Sequence, residues 1–290
     1  GNISLTNDYA KHTIRGGNDV TISPEGLEVT NNTSGLDKEY ITNWSYGVGE
    51  SFTLISPYIK GSASAGIVGS QFEEMVENSD RSRSEINQIF NAQIPMYWGE
   101  QPIVSGPTYV GVVMIFLMVL GLVYVKDRRK WVLFFVAVLA LMLSWGKNFP
   151  LLTDFFIDTI PLYNKFRAVS SIQVILELCI PVLAIMGLQS FFKEEKEQQL
   201  KGLYLSGGVF FGIISFLIEI KSQFSFSGGS DDYYLQNYGP EFINALKEDR
   251  KSMYVSDLLR SAFFIAIAAL TMWMYLKNKL ATQTAVIIIG

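Results

Sequence analysis

Apolar residues run in long uncharged blocks after position 106 and in short alternating pieces before it. Pro107 to Val125 is nineteen residues without a charge. As a helix it is roughly 28 Å long, close to the hydrocarbon thickness of a bilayer. Trp131 to Gly146 is sixteen residues long. It follows the basic stretch Lys126 to Lys130 and carries Trp131 and Trp145 near its ends, as interfacial aromatic belts do. Further spans are expected at 169–192, 203–220 and 258–276, and 281–290 reads as the start of another. The pattern predicts a mainly α, polytopic membrane protein. Residues 107–290 form five to six transmembrane helices, joined on one side by the outer loops 147–168 and 221–257.

Residues 1–106 follow a different rhythm. Asp19 to Ser23 and Leu27 to Thr30 alternate polar and apolar positions and are separated by Pro24-Glu25-Gly26, which reads as strands and a turn. A Gly/Ser/Ala-rich stretch, Gly61 to Gly66, precedes a helix expected near Ser84 to Asn91. The segment is expected to be a small extracytoplasmic α+β element or a long loop. Between the second and third spans, Phe149, Leu151, Leu152, Phe155, Phe156 and Ile160 form an apolar stripe broken by Asp154 and Asp158. This predicts a helix lying at the membrane surface, ended by Pro161.

Charge gives the spans a direction. The connections 126–130, 193–202 and 277–280 hold nine Lys or Arg in nineteen residues, against seven in fifty-nine for 147–168 and 221–257. The positive-inside rule puts the first group in the cytoplasm and residues 1–106 outside. Of the 290 residues 49% are hydrophobic and only 17% charged, below the quarter or so usual in soluble chains. A net charge of −4 provides no basic surface for nucleic acid. The single cysteine, Cys179, excludes an intrachain disulfide framework, and the single histidine, His12, excludes zinc sites built from several His or Cys ligands. No P-loop, GxSxG elbow, HExxH or dinucleotide fingerprint is present. The chain opens on Gly1 and stops at Gly290 inside an apolar run, which reads as a fragment of a longer polytopic protein, with sequence missing at both ends.

Four runs carry a resemblance to a known family: Gly35 to Tyr40 continuing through Trp44-Ser45-Tyr46-Gly47; Tyr97 to Pro102 with Gly106-Pro107; Ser144 to Asn148; and Pro161 to Ser171. Together they resemble the YfhO family of bacterial membrane proteins in its Bacteroidota form, over most of residues 35–190. That family resembles the GT-C glycosyltransferases. The resemblance implies a location in the bacterial inner membrane and a sugar donor linked to polyprenyl phosphate, used at the outer face for cell-envelope glycans. It also implies a catalytic acid in a first outer loop upstream of this chain, so no acidic residue here inherits that role. A transporter or flippase of a lipid-linked substrate and a non-catalytic membrane scaffold stay open beside it.

Such a transfer needs cations for the departing phosphate and a surface for the sugar. Lys165 and Arg167 follow Pro161 at the head of the third span, where a lipid phosphate lies; they are either phosphate ligands or interfacial anchors. Glu177, flanked by Gln173 and Pro181, sits about two turns inside that span. A charge at that depth costs about 2.5–3.5 kcal/mol on insertion scales, so it is expected to face protein or water. Trp44 and Trp98, with Tyr46 and Tyr97, are candidates to stack on a sugar or to anchor at the interface. Asp231 and Asp232, followed by Tyr233 and Tyr234, are candidates to bind a divalent cation through carboxylate oxygens, although two adjacent acids in a Gly/Ser-rich loop usually face water. No cofactor and no metal ligand set is identified, and metal dependence stays open. The expected partners are the lipid bilayer and a lipid-linked sugar.

Overall fold

The computed structural model describes residues 21–22, 28–29, 35–64, 69–79 and 94–290. It is mainly helical. Residues 35–79 contribute two short helices, α1 (Lys38–Thr42) and α2 (Ser70–Glu77). The rest forms α3 (Val112–Tyr124), α4 (Arg129–Ser144), α5 (Pro150–Thr159), α6 (Gln173–Phe191), α7 (Lys196–Glu219), α8 (Asp231–Tyr238), α9 (Pro240–Leu276) and α10 (Thr282–Ile289).

Three helices are long and apolar enough to cross a membrane: Val169–Phe191 with 23 residues, Lys196–Gln223 with 28 and Pro240–Leu276 with 37, counting flanking 3-10 turns. They correspond to the spans expected at 169–192, 203–220 and 258–276. The first expected span is shorter than the pattern implied. Gly111 adopts φ +102, a conformation that glycine enters freely, so α3 begins at Val112 and has 13 residues rather than nineteen. Two strands of two residues, Thr21–Ile22 and Glu28–Val29, pair antiparallel with Thr21 opposite Val29. They fall inside the alternating stretches expected at 19–23 and 27–30, and no larger sheet forms among the described residues, where alternation over four or five residues is too short to specify one. The helix expected near Ser84 to Asn91 lies outside the described residues. A helix forms on the apolar stripe between the second and third expected spans, α5, with Leu151 and Phe155 exposed, Thr153 buried and Pro150 at its first turn.

The bundle is tightest where α3 crosses α6. A Cβ at Gly187 would lie 2.5 Å from both the Leu117 carbonyl oxygen and the Gly121 nitrogen, so the two backbones touch through glycine. Small residues permit such close approach between membrane helices. Tyr124 closes the same helix against α7, donating to the carbonyls of Gln198 and Gln199 at 2.7 and 3.0 Å.

The connections sort to two ends. Lys126 pairs with Glu194 at 3.1 Å and Lys196 donates to Asn278 at 2.9 Å, which gathers the three basic connections at one end. At the other, segment 35–64 lies across the helix tips. Tyr46 N–H donates to the Ser144 carbonyl at 2.8 Å, and the Ser261 hydroxyl to the Ile55 carbonyl at 2.9 Å.

Helix α9 ties this outer layer down. It starts 18 residues before its expected apolar span, because the polar half from Pro240 stays helical while packing on the outer segments. The Asp249 carboxylate accepts the backbone N–H groups of Gly69, Gln71 and Phe72 and so caps α2. Phe72, Val76, Ile94, Met96, Phe242, Ile243 and Leu246 form a small apolar cluster beside it. Asp257 accepts the Ser56 hydroxyl and the Tyr58 N–H.

Candidate functional site

The end of the bundle opposite the basic connections carries two polar clusters joined by residues 40–53. In the first, Arg167 meets Tyr40 and Trp44. Asp37 caps α1 by accepting the N–H groups of Glu39 and Tyr40, which fixes Tyr40 on a short helix. The Arg167 Nη1 donates to the Tyr40 hydroxyl at 2.8 Å, and its guanidinium carbon lies 5.6 Å from the Tyr40 ring centre and 5.5 Å from that of Trp44. The chain leaves this position through Ala168 in the left-handed region at φ 62, just before the 3-10 turn that starts the long helix. A cavity of about 370 Å³ opens beside it, lined by Tyr163, Phe166, Arg167, Val169, Ser171 and Ile172 among others. Burial raises the Tyr163 phenol above its ordinary value. Lys165 is half-buried in the turn Tyr163–Lys165.

The second cluster is buried. Glu50, 1% exposed, accepts the Gly47 N–H at 2.8 Å, the Glu100 N–H at 2.9 Å and the Tyr97 hydroxyl. Tyr46 bonds to Thr53, Thr53 donates to the Thr108 carbonyl at 2.9 Å, and Thr108 donates to Gln173 Oε1 at 2.8 Å. Gln173 Nε2 then donates to Ser144 at 3.1 Å. Gln173 is thus a buried bridge between the tips of α4 and α6 and the outer segment. Burial, with the Glu50 charge adding to it, holds the Tyr97 phenol far above its usual range; burial likewise pushes Tyr46 up to about 12. Burial lowers the Lys60 ammonium from its ordinary value, with Glu50 and Glu100 pulling the other way. Its Nζ lies 3.9 Å from the centre of the Trp98 ring.

Of the two tryptophans expected to stack on a sugar or anchor at the interface, only Trp44 lies beside Arg167. Trp98 is 6% exposed and packs on Phe226 at 4.9 Å and Phe224 at 5.8 Å, with Lys60 over its ring, so it belongs to the packing. Tyr46 and Tyr97 spend their hydroxyls inside the buried network. Asp231 does not face water: it is 6% exposed and holds Arg250 through two bonds of 2.7 and 2.8 Å. Among the described residues no group of His, Cys, Asp and Glu could hold a metal ion. Glu177 faces neither a cavity nor a neighbouring helix; it is exposed on the outward side of α6.

Below the outer layer an apolar slot of about 210 Å³ runs between α3, α4 and α6, walled by Ile115, Met118, Phe134, Leu141, Leu176 and Ile180 and roofed by Phe52 and Ile55. Neither this slot nor the buried Glu50 network carried a sequence signal, since both arise from positions far apart in the chain. Comparison with models of known families, with characterised proteins and with solved structures gives no match to this chain.

Proposed function

We propose that this chain is part of a YfhO-like membrane protein of GT-C type that handles a polyprenyl-phosphate-linked sugar at the outer face of a bacterial inner membrane. In this reading α3 and α4 also cross the bilayer as short spans, and α10 begins another. The end bearing Lys126, Lys196 and Lys277 is cytoplasmic, and residues 1–106 lie outside.

The observation that carries the reading is the meeting of Arg167 with Tyr40 and Trp44 beside an open cavity at the head of α6. Tyr40 engages one of the five N–H donors of the guanidinium, which leaves donors for phosphate oxygens, and Arg can grip phosphate in a bidentate manner. Trp44 offers an aromatic face at the same place. The apolar slot between α3, α4 and α6 suits a prenyl chain rather than a polar ligand. Lys165, two residues before Arg167, is the second cation in this reading.

The test is binding or turnover of a polyprenyl-phosphate sugar by the membrane-inserted protein. Arg167→Lys keeps the charge and loses the planar fork, so affinity should fall about ten-fold or more, as expected for one charge-assisted bond. Arg167→Ala and Lys165→Ala should lose more. Wild-type behaviour in all three, with normal insertion, would return both residues to the role of membrane anchors.

A further inference from the structure

Helix α6 turns one stripe away from the bundle. Val174, Leu178, Val182 and Ile185 on it are 63, 69, 37 and 65% exposed. Glu177 lies on the same stripe, eight residues or about 12 Å inward from Val169. None of the described residues donates a hydrogen bond or an ion pair to its carboxylate.

A second feature coincides with it. Pro181 lies inside the helix four residues further on and has no N–H. The backbone carbonyl of Glu177 therefore lacks the donor that would close that turn. One residue thus presents two unfilled acceptors, side chain and backbone, at a single depth on an apolar face. In hydrocarbon neither is tolerated without a partner, and an intramembrane carboxylate faces protein or a water-filled cavity.

We propose that this stripe is the contact surface for a second membrane helix that carries a cationic donor, Lys or Arg, at the depth of Glu177. A Lys ammonium has three N–H donors and an Arg guanidinium five, so either serves the carboxylate and the carbonyl together. A second copy of this chain does not fit, because a two-fold contact brings the same patch onto itself, acceptor against acceptor. The apolar neighbours Val174 and Leu178 supply the surrounding packing. This inference rests on α6 lying in the membrane and is independent of the sugar chemistry proposed above.

The test uses the whole chain in phosphatidylcholine vesicles, labelled with a dye at Ser227→Cys in a Cys179→Ser background. The probes are acceptor-labelled Leu-rich helical peptides of about 20 residues. One has Leu at mid-outer depth and the other a single Lys there. Energy transfer should show the Lys peptide associating about ten-fold more tightly, the equivalent of one good interhelical hydrogen bond. Glu177→Leu removes no contact of the described fold and should abolish the difference; Glu177→Gln should retain part of it. Equal association of both peptides overturns the proposal, as does a Lys preference that survives Glu177→Leu. Self-association of the chain that disappears with Glu177→Leu would assign the face to a second copy and overturn it too. Failure of the chain to insert would overturn the membrane reading and this inference with it, whereas insertion with equal binding overturns this inference alone.

Discussion

Removing Asp231 should loosen the outer layer far more than its surface loop setting implies. Arg250 has a side chain with 0% exposure. Its guanidinium donates to both oxygens of Asp231 and to the carbonyls of Phe226 and Pro95, at 2.8 and 2.6 Å. Asp231→Ala leaves the cation buried among carbonyls with no countercharge, and breaking a buried pair from one side costs about 3–5 kcal/mol. That is on the order of 10²- to 10³-fold or more in the local opening constant. Hydrogen exchange measured on the protein in nanodiscs should show this loss of protection across residues 226–238 and 94–98, with α6 little changed. The double variant Asp231→Ala/Arg250→Met replaces the pair by apolar groups and should recover most of the protection, since a buried ion pair and a well-packed apolar substitute are nearly equivalent. Protection in Asp231→Ala within three-fold of the parent, or a double variant as loose as the single one, would refute this account of what holds the loop.

Gly187→Ala drives a methyl into the Leu117 carbonyl and the Gly121 nitrogen, so the α3–α6 crossing should open and stability in detergent fall by about 1–3 kcal/mol, read as a lower midpoint in thermal unfolding. Tyr46 holds its proton up to about 12, whereas an unfolded tyrosine releases it near 10. Its contribution is therefore complete below pH 10 and is lost as pH rises from 10 towards 12, by up to about 1.4 kcal/mol per unit; Tyr46→Phe should flatten that slope in denaturant melts taken between those values. For topology, single cysteines at Asp127 and Ser227 in a Cys179→Ser background should differ, an impermeant thiol reagent on intact cells labelling 227 and sparing 127; the reverse pattern inverts the orientation.

Hydropathy made the three long apolar helices legible, because an apolar run of that length, with one charge at most, has few alternatives to a helix in a bilayer. Their ends were less legible. The first half of α9, Pro240 to Asp257, is polar on average and reads as loop, yet it is helical because Phe242, Ile243 and Leu246 bury against Phe72 and Met96. That apolar stripe is visible only once the partner segment is in place. At the candidate site, residue type and membrane depth singled out Arg167 and Trp44, and the fold brings them together. Glu50, Asp249, Arg250 and Asp257 carry no sequence signal because each acts through a partner 19 to 201 residues away or through backbone N–H groups, which leave no spacing in the sequence. Asp231 was misread for the same reason: two adjacent acids resemble a hydrated loop until the buried guanidinium is found.

Helix α9, at 37 residues, is an unbroken rod of about 55 Å. Its outer half is pinned at Asp249, Arg250 and Asp257 to three separate outer segments, while Ile265, Ala268 and Met272 are packed in the bundle core. A rod has no hinge between those two regions. Any tilt imposed on that layer is therefore delivered as leverage to the far end of the bundle, near Lys277 and the Asn278–Lys196 contact. Mechanically the two layers form one body.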